Sequence, residues 1–324
     1  MTRTLLSLTL LSLLATQTST NAAPPKPTAV LDLWPDGPPD SNGLSGPEKG
    51  TRCVGNISKP KLLVYLPQPT TPAGKPTAAV VITPGGGYGV VCVEPEGYPI
   101  AELLIQRGIA AIICKYRLPN GHHLVPANDA RRAIRTVRHN AAKWNIDPKR
   151  IGVWGFSAGG HLASTVSTVF DSGTADAEDT VERQPSRPNF SILFYPVITM
   201  LDDAAHKGSR RNLMGADPKA AMIERYSSDA RVTAQTPPTF LLHCSDDRAV
   251  PVENSLRYYR QLVRHGVPAE LLIFETGSHG PSAFKNNPSW LTAFDRWLKS
   301  RQRSCDRSGR LLKPSLLPTL LTAE

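Results

Sequence analysis

Residues 150–160 read RIGVWGFSAGG, an apolar run that leads directly into the pattern Gly155-Phe156-Ser157-Ala158-Gly159. The run from 150 to 155 is typical of a buried strand, and residues 158–170 are typical of a helix. A G-x-S-x-G pattern alone is short enough to occur by chance, but a strand before it and a helix after it make it specific. The stretch therefore predicts that Ser157 is a nucleophile held on a sharp strand-to-helix turn, where the flanking glycines leave room for the bend.

The rest of the chain alternates strand-like and helix-like segments on both sides of this turn. Further strands are predicted at 61–66, 78–83, 110–116, 190–196, 239–243 and 269–274. Further helices are predicted at 99–107, 128–144, 252–264 and 290–301. This alternation predicts an α/β fold with a mostly parallel central sheet flanked by helices. Residues 200–237 lack a clear strand and contain one short helical pattern near 218–226, which predicts a small cap or insertion.

A glycine-rich segment, Pro84-Gly85-Gly86-Gly87-Tyr88-Gly89, follows the strand predicted at 78–83. A loop of this kind can turn backbone amides towards a developing negative charge. The amide of Gly86 or Gly87, together with that of Ala158, is therefore predicted to form an oxyanion hole. The alternative is a phosphate-binding loop, but the chain has neither the Lys-Ser/Thr ending nor a G-x-G-x-x-G that leads into a helix.

Two late loops supply an acid and a base. The segment His243-Cys244-Ser245-Asp246-Asp247 follows one predicted strand, and Gly277-Ser278-His279-Gly280 follows the last one. Either acid could orient an imidazole, and motif position favours Asp247 over Asp246. The order Ser157, Asp247, His279 is the order of nucleophile, acid and base that such a sheet requires.

Other histidines and cysteines do not form a metal-binding pattern. His161, four residues after Ser157, is predicted to pack or to form hydrogen bonds on the helix that follows. The histidines lack H-x-x-x-H and H-E-x-x-H spacing, so neither a metal nor a cofactor is predicted.

Cys92, Cys114 and Cys244 lie in or beside apolar runs, where a free cysteine behaves as a small hydrophobe. Cys53 and Cys305 complete an odd number of cysteines, so a disulfide is allowed but its pairing stays open.

Composition divides the 324-residue chain into four segments. Residues 1–22 combine Arg3, a Leu-rich stretch too short to span a bilayer and small residues near position 22, which predicts a cleaved signal peptide and a secreted or periplasmic protein. Residues 23–48, rich in Pro and Gly, predict an N-terminal arm. The catalytic domain is predicted at 49–302, and the basic, then Leu/Pro-rich segment 303–324 predicts a flexible tail.

The formal net charge of +10 by itself favours an acidic binding partner. Lysine and arginine are scattered, and no aromatic residues are interleaved with them in the pattern of a nucleic-acid groove. The sequence therefore predicts no nucleic-acid partner and no stable membrane insertion, and it leaves the oligomeric state open.

With these motifs in place, the chain resembles the secreted α/β-hydrolases of the acetylxylan-esterase and BD-FAE-like type. The resemblance is carried by DLWPDGPP at 32–39, PGGGYG at 84–89, the run from 129 to 164, PPTFLLHCSDDRAVPVENS at 237–255 and GSHG at 277–280. It implies an α/β-hydrolase fold and a serine esterase, without a cofactor, that removes short acyl groups such as acetyl from xylan or pectin through an acyl-enzyme. It also implies that Ser157 is the nucleophile, Asp247 the acid and His279 the base.

Three other functions fit the sequence less well. A serine peptidase of the prolyl-oligopeptidase type normally carries a propeller for which the chain has no room. A general carboxylesterase or lipase shares the fold, but 200–237 is too charged for a long apolar lid. A non-catalytic binding protein would not need Ser157, Asp247 and His279 together. No pair of glycosidase carboxylates is evident, so glycosidic cleavage is not predicted.

Overall fold

A computed structural model describes residues 25–68, 74–201 and 203–302 of the chain. The predicted signal peptide at 1–22 and the predicted tail at 303–324 lie outside the described residues. The strands are β1 (Ala29–Asp32), β2 (Lys61–Tyr65), β3 (Thr77–Thr83), β4 (Ala110–Lys115), β5 (Ile146–Phe156), β6 (Phe190–Phe194), β7 (Thr239–Cys244) and β8 (Ala269–Phe274). The helices are α1 (Val93–Glu96), α2 (Tyr98–Ile105), α3 (Val125–His139), α4 (Ser157–Thr168), α5 (Lys207–Met214), α6 (Ala220–Arg225), α7 (Glu253–Arg264), α8 (Ser282–Lys285) and α9 (Trp290–Gln302), with a 3-10 helix at Ser228–Arg231.

The described strands form one sheet in the order β1-β2-β4-β3-β5-β6-β7-β8. β1 and β2 run antiparallel to their neighbours, and all the pairings from β4 to β8 are parallel. The predicted mostly parallel sheet is thus confirmed. Its central strands are near-continuous apolar runs, such as FSILF in β6, because helices cover both of their faces.

An aromatic cluster packs the last helix onto the centre of the sheet. The indole of Trp154 in β5 lies 5.0 Å from the ring of Phe194 in β6 and 5.0 Å from that of Phe294 in α9. All three side chains are fully buried. Burying rings of this size supplies a large part of the hydrophobic stabilisation, and it fixes β5 and β6 relative to each other below the nucleophile turn.

The sheet brings the predicted site residues to one edge. β3, β5, β7 and β8 are parallel, so the loops that follow them emerge at the same side. Those loops carry the glycine-rich segment, Ser157, the Asp246-Asp247 pair and His279. Ligands of open α/β sheets bind at this carboxyl edge.

Residues 203–237 confirm the predicted insertion between β6 and β7. They hold α5, α6 and the 3-10 helix, and no strand occurs among them. The helical pattern near 218–226 corresponds to α6, whereas α5 was missed because its sequence KGSRRNLM is polar and contains a glycine. β1, in the predicted arm, was also missed, because it is a short, half-exposed edge strand. Within the described residues, no helix is both long and apolar enough to cross a membrane.

The expectation that Cys92 acts as a buried hydrophobe was wrong, because Cys92 forms a disulfide with Cys53. The neighbouring residues explain the pairing: Val54 and Val91 exchange two backbone hydrogen bonds of 2.8 Å, which sets the cysteines before and after them side by side. Cys114 and Cys244 are free and buried, as predicted. Cys305 lies outside the described residues.

Candidate active site

Ser157 occupies a strained backbone position between β5 and α4. Its φ of 50° is in the left-handed region, which costs a non-glycine residue about 1 kcal/mol or more. The turn is possible because the residues two positions before and after Ser157 are glycines: a Cβ on Gly159 would lie 2.0 Å from the carbonyl oxygen of Thr83, and one on Gly155 would lie 2.2 Å from the carbonyl oxygen of Gly159. The predicted crowding at the flanking positions is confirmed.

Ser157, His279 and Asp247 form a continuous chain of hydrogen bonds. The Ser157 hydroxyl donates to Nε2 of His279 over 2.9 Å, and Nδ1 of His279 donates to Oδ2 of Asp247 over 2.6 Å. Ser157 and Asp247 are buried, whereas the His279 side chain is one quarter exposed. The imidazole can therefore take a proton from the serine at Nε2 while its Nδ1–H stays hydrogen-bonded to the acid.

The environment of Asp247 keeps this carboxylate charged. Its Oδ1 accepts hydrogen bonds of 2.9 Å from the amides of Ala249 and Val250, and Nε2 of His243 lies 3.3 Å from Oδ2. Burial acts to raise the pKa of Asp247, but the hydrogen bonds from His243, His279 and the Val250 amide outweigh it and hold the pKa well below its usual range.

Asp246 contacts the same loop but not the imidazole. Its carboxylate accepts hydrogen bonds from the amides of Gly277, at 3.2 Å, and Ser278, at 2.7 Å. Of the two candidate acids, Asp247 is the one that touches His279. Asp246 instead fixes the backbone of the two residues that precede His279.

The glycine-rich loop lies against the nucleophile. A Cβ built on Gly85 would lie 2.9 Å from the Cβ of Ser157. Within the part of the chain that the structure describes, no protein acceptor is present for the amides of Gly86 and Gly87. Ala158 is the second residue of α4, so its amide is among those that a helix leaves without an intrahelical acceptor. These amides are thus available to an external oxygen.

Glu96 and Tyr195 belong to the site and were missed from the sequence. Oε2 of Glu96 accepts a 2.6 Å hydrogen bond from the Gly85 amide, and Oε1 accepts a 3.0 Å hydrogen bond from the Tyr195 hydroxyl. The Tyr195 ring meets the His279 imidazole edge-on, with centroids 4.9 Å apart. Burial raises the pKa of Glu96 even though both hydrogen bonds act to lower it. One buried carboxylate therefore links the glycine-rich loop to the ring beside the imidazole.

A usable signal existed for Tyr195 only. It directly follows β6, the neighbour of the nucleophile strand, and residues at that position of parallel strands meet at one edge. Glu96 is one of two acids in the segment EPEGYP, whose composition is typical of a solvated turn.

His161 forms hydrogen bonds inside the fold, as predicted. The Tyr88 hydroxyl donates to its Nδ1 over 2.8 Å, and its Nε2 donates to the carbonyl oxygen of Tyr226 over 2.7 Å. Burial lowers the pKa of His161 to about 4, because the charged imidazole is disfavoured there. The neutral ring connects α4 to the glycine-rich loop and to the insertion.

His206 extends the site from the insertion side. It caps the N-terminus of α5, where its Nδ1 accepts a 3.1 Å hydrogen bond from the Ser209 amide. Its ring lies beside the glycine-rich loop, since a Cβ on Gly87 would be 3.8 Å from Cε1. Burial and the nearby His279 lower the pKa of His206. Within residues 25–68, 74–201 and 203–302, no group of three His, Cys, Asp or Glu side chains is placed to hold a metal ion.

Comparisons with known proteins identify esterases among the relatives of this chain. An acetylxylan esterase of Xylanibacter ruminicola is 37% identical over 262 residues, which cover 78% of this chain and 51% of that protein. The chain thus spans about half the length of this relative. A solved structure, an acetyl ester-xyloside bifunctional hydrolase from Caldicellulosiruptor lactoaceticus, has a TM-score of 0.72 and 39% identity over 87% of this chain and 98% of the other.

The fold class is confirmed by a second solved structure. MGS-M1, an alpha/beta hydrolase enzyme from a Medee basin deep-sea metagenome library, has a TM-score of 0.57 and 26% identity over 75% of this chain and 92% of the other. The BD-FAE family model matches residues 62–262, a span that begins within β2, ends within α7 and includes Ser157 and Asp247. Because this match extends over more than half of the sequence, the chain belongs to the BD-FAE family.

Proposed function

We propose that the protein is a serine carboxylic-ester hydrolase that removes short acyl groups, acetyl in the first place, from plant polysaccharide such as xylan or pectin. The observation that carries the proposal is the hydrogen-bond chain from Ser157 through His279 to Asp247, beside a loop with free amides. This is the arrangement that acyl transfer to a serine requires.

In the first half of the reaction, Nε2 of His279 takes the proton of the Ser157 hydroxyl while Oγ attacks the ester carbonyl. The oxyanion of the tetrahedral intermediate accepts hydrogen bonds from the amides of Ala158 and of Gly86 or Gly87. The C–O bond to the alcohol then breaks, and His279 gives its proton to the leaving alkoxide. The sugar hydroxyl departs, and the acyl group stays on Ser157.

In the second half, water replaces the alcohol. His279 removes a proton from this water as its oxygen attacks the acyl carbon, and the same oxyanion-binding amides stabilise the second intermediate. Collapse of the intermediate returns the proton to Ser157 and releases the acid. Asp247 keeps the imidazole in the tautomer whose Nε2 is free to accept a proton, and it stabilises the imidazolium between steps.

The substrate class rests on the relatives. The protein from Xylanibacter ruminicola is named for acetylated xylan, and the structure from Caldicellulosiruptor lactoaceticus is named for an acetyl ester and a xyloside. Both names combine a short acyl group with a xylose-based glycan, so an acetylated plant polysaccharide is the substrate that we propose for this chain.

We also propose that the protein is exported, with residues 1–22 removed. The Leu-rich segment at 5–15 supports this, and so does the Cys53–Cys92 disulfide, since disulfides persist in oxidising compartments. The intact mass of protein recovered from the periplasm or the medium would test it. We expect a mature chain that starts at Ala23, and a mass that includes residues 1–22 would contradict the proposal.

The central test is Ser157→Ala. We expect the variant to lose at least about a thousandfold in kcat for 4-nitrophenyl acetate while its circular dichroism stays that of the parent. Ser172→Ala, at an exposed serine away from the site, serves as the matched control.

Acetate release from acetylated xylan and acetylated pectin, together with ferulate release from a feruloylated fragment, identifies the acyl group and the glycan. Full turnover by Ser157→Ala, or no acetate from either polysaccharide, would contradict the proposal.

A further inference from the structure

A cleft of about 680 Å³ opens next to the glycine-rich loop. We call it the side cleft; it is lined by residues from segments 49–56, 88–90, 118–121 and 211–216, together with Leu44. A volume of this size lies within the range of small-molecule and sugar sites. The wall formed by α5 is joined to the glycine-rich loop, because Asn212 on α5 donates a 2.9 Å hydrogen bond to the carbonyl oxygen of Gly87.

The side cleft is connected to the nucleophile through the glycine-rich loop. Tyr88, Gly89 and Val90, which line it, directly follow Gly86 and Gly87 in the loop whose Gly85 packs against Ser157. A substrate with its ester at Ser157 can therefore extend its alcohol portion into the side cleft.

The wall formed by residues 49–56 is covalently fixed to the segment that follows the glycine-rich loop. The disulfide joins Cys53 to Cys92, and the amide of Cys92 donates a 2.9 Å hydrogen bond to the carbonyl oxygen of Gly85. Lys49 and Gly55 exchange backbone hydrogen bonds of 3.0 and 2.8 Å, which close the wall into a hairpin-like turn. A wall fixed in this way is pre-organised for a ligand.

Three asparagines of the side cleft offer acceptors to hydroxyl groups. Asn56, Asn120 and Asn212 each use the side-chain NH₂ group to hold the wall, by donating to backbone carbonyl oxygens at 2.7 to 3.1 Å. Among the described residues, none of their three side-chain oxygens accepts a hydrogen bond from the protein. Such oxygens suit a ligand rich in hydroxyl donors, as a sugar is.

The charges that line the side cleft are all positive. Lys49 and Arg211 are its ionisable side chains apart from the phenol of Tyr88, and no Asp or Glu lines it. In the part of the chain that the structure covers, neither cation has a carboxylate partner, whereas the neighbouring acid Glu48 is paired with Lys115 at 2.6 Å. Two unpaired cations in one concave surface favour an anionic group on the ligand.

From these contacts we propose that the side cleft binds a uronate residue of the substrate, with Lys49 and Arg211 on its carboxylate and the asparagine oxygens on its hydroxyl groups. The protein thus selects acetylated glycans that carry acidic sugars over neutral ones. The proposal deepens the esterase function and rests on it for its meaning in catalysis. The shared chemistry, a carboxylate on a pyranose, occurs both in glucuronic-acid branches of xylan and in the galacturonan of pectin.

Binding to the wild-type protein tests the proposal without turnover, because oligosaccharides that carry no ester can be used. Three probes of equal length are titrated by calorimetry at low salt: a xylo-oligosaccharide with one glucuronic-acid branch, an oligogalacturonate and an unbranched xylo-oligosaccharide. We expect at least one acidic probe to bind about tenfold more tightly than the neutral one, and the stronger acidic probe identifies the source of the uronate. This advantage should shrink as salt rises from 20 to 500 mM.

The double variant Lys49→Gln/Arg211→Gln should bind the acidic probe no better than the neutral one. Lys143→Gln/Arg264→Gln removes the same charge from exposed positions outside the side cleft and should keep the preference. Equal affinity of the wild type for acidic and neutral probes, or an equal loss in both double variants, would overturn the proposal. If the first double variant fails to fold, the salt dependence of the wild type decides.

Turnover of 4-nitrophenyl acetate separates this result from the esterase proposal. A preference for the acidic probe without any turnover would refute only the esterase proposal.

Discussion

The carboxylate of Asp246 accepts a 2.7 Å hydrogen bond from the backbone amide of Ser278, the residue before His279. The next carboxylate in the chain, that of Asp247, accepts a hydrogen bond from the imidazole of His279 itself. Adjacent acids at the end of β7 thus hold one loop in two ways, one through the backbone and one through the side chain. A substitution at either acid affects the same histidine, but for different reasons.

Asp247→Asn should be far more damaging than Asp246→Asn. An amide at 247 can present a donor to Nδ1 and so favour the wrong tautomer of His279, which lowers kcat by about 10³ to 10⁴-fold in triads of this kind. An amide at 246 keeps one oxygen for the Ser278 and Gly277 amides, and we expect a loss of about tenfold or less. Steady-state hydrolysis of 4-nitrophenyl acetate measures both. Equal losses, or the reverse order, would contradict the assignment of Asp247.

The sequence predicted those site residues that lie within a short, recognisable local motif. Ser157 has glycines at fixed offsets, and the acid pair and His279 lie in the loops that follow two apolar strands. Glu96 and the Cys53–Cys92 pair were not predicted, because what makes them important is distant in the chain. Glu96 accepts a hydrogen bond from a tyrosine 99 residues away, and the disulfide depends on a backbone bridge between two short loops. Local patterns carry no information on such contacts.

Glu96→Gln should lower kcat with little change in KM. The carboxylate accepts hydrogen bonds from two donors, the Gly85 amide and the Tyr195 hydroxyl, but a glutamine offers one acceptor and one donor. If the glutamine oxygen keeps the Gly85 amide, its NH₂ group can only donate to the Tyr195 oxygen, so the Tyr195 hydroxyl proton loses its acceptor and the ring beside His279 is held less firmly. In the opposite orientation of the glutamine, the Gly85 amide loses its acceptor and the glycine-rich loop is held less firmly. We expect a 10- to 100-fold loss in kcat, as is typical when a group that orients an oxyanion site is disturbed.

Glu94→Gln is the matched control for this variant, because Glu94 is an exposed acid on the same short helix. It should hydrolyse 4-nitrophenyl acetate at the parent rate. Tyr195→Phe removes only one of the two donors and should fall between the parent and Glu96→Gln. A purely structural role for Glu96 would instead appear as a lowered melting temperature with kcat unchanged.

Loss of the disulfide should lower the stability of the fold. The bond closes a loop of 39 residues, for which chain entropy gives about 4 kcal/mol. Urea unfolding of Cys53→Ser/Cys92→Ser should show a loss of this order. Dithiothreitol should lower the stability of the parent to a similar value and leave the double variant unchanged, since Cys114 and Cys244 are free and buried. A reductant effect of equal size in both proteins would show that another bond is responsible.

Stability should fall between neutral pH and pH 4 because of His161. Its pKa is about 4 in the folded protein, against 6.5 for the free side chain. The unfolded chain therefore binds more protons over this interval, and folding loses about 3 kcal/mol as pH falls from 6.5 to 4. The cause is burial, which disfavours the charged imidazole. A protonated ring would in addition no longer accept the hydrogen bond from the Tyr88 hydroxyl.

The size of this effect can be isolated with His161→Gln, whose side chain does not titrate. The free energy of unfolding in urea, measured for both proteins at pH 7 and pH 4, gives two pH-dependent losses, and the contributions of Asp and Glu residues cancel in their difference. The variant will be less stable than the parent at pH 7, because one hydrogen bond to Tyr88 or Tyr226 is weakened. Its loss on acidification should be smaller by about 3 kcal/mol. Parallel losses in the two proteins would mean that His161 keeps an ordinary pKa, and hence that its burial between α4 and the insertion is incomplete.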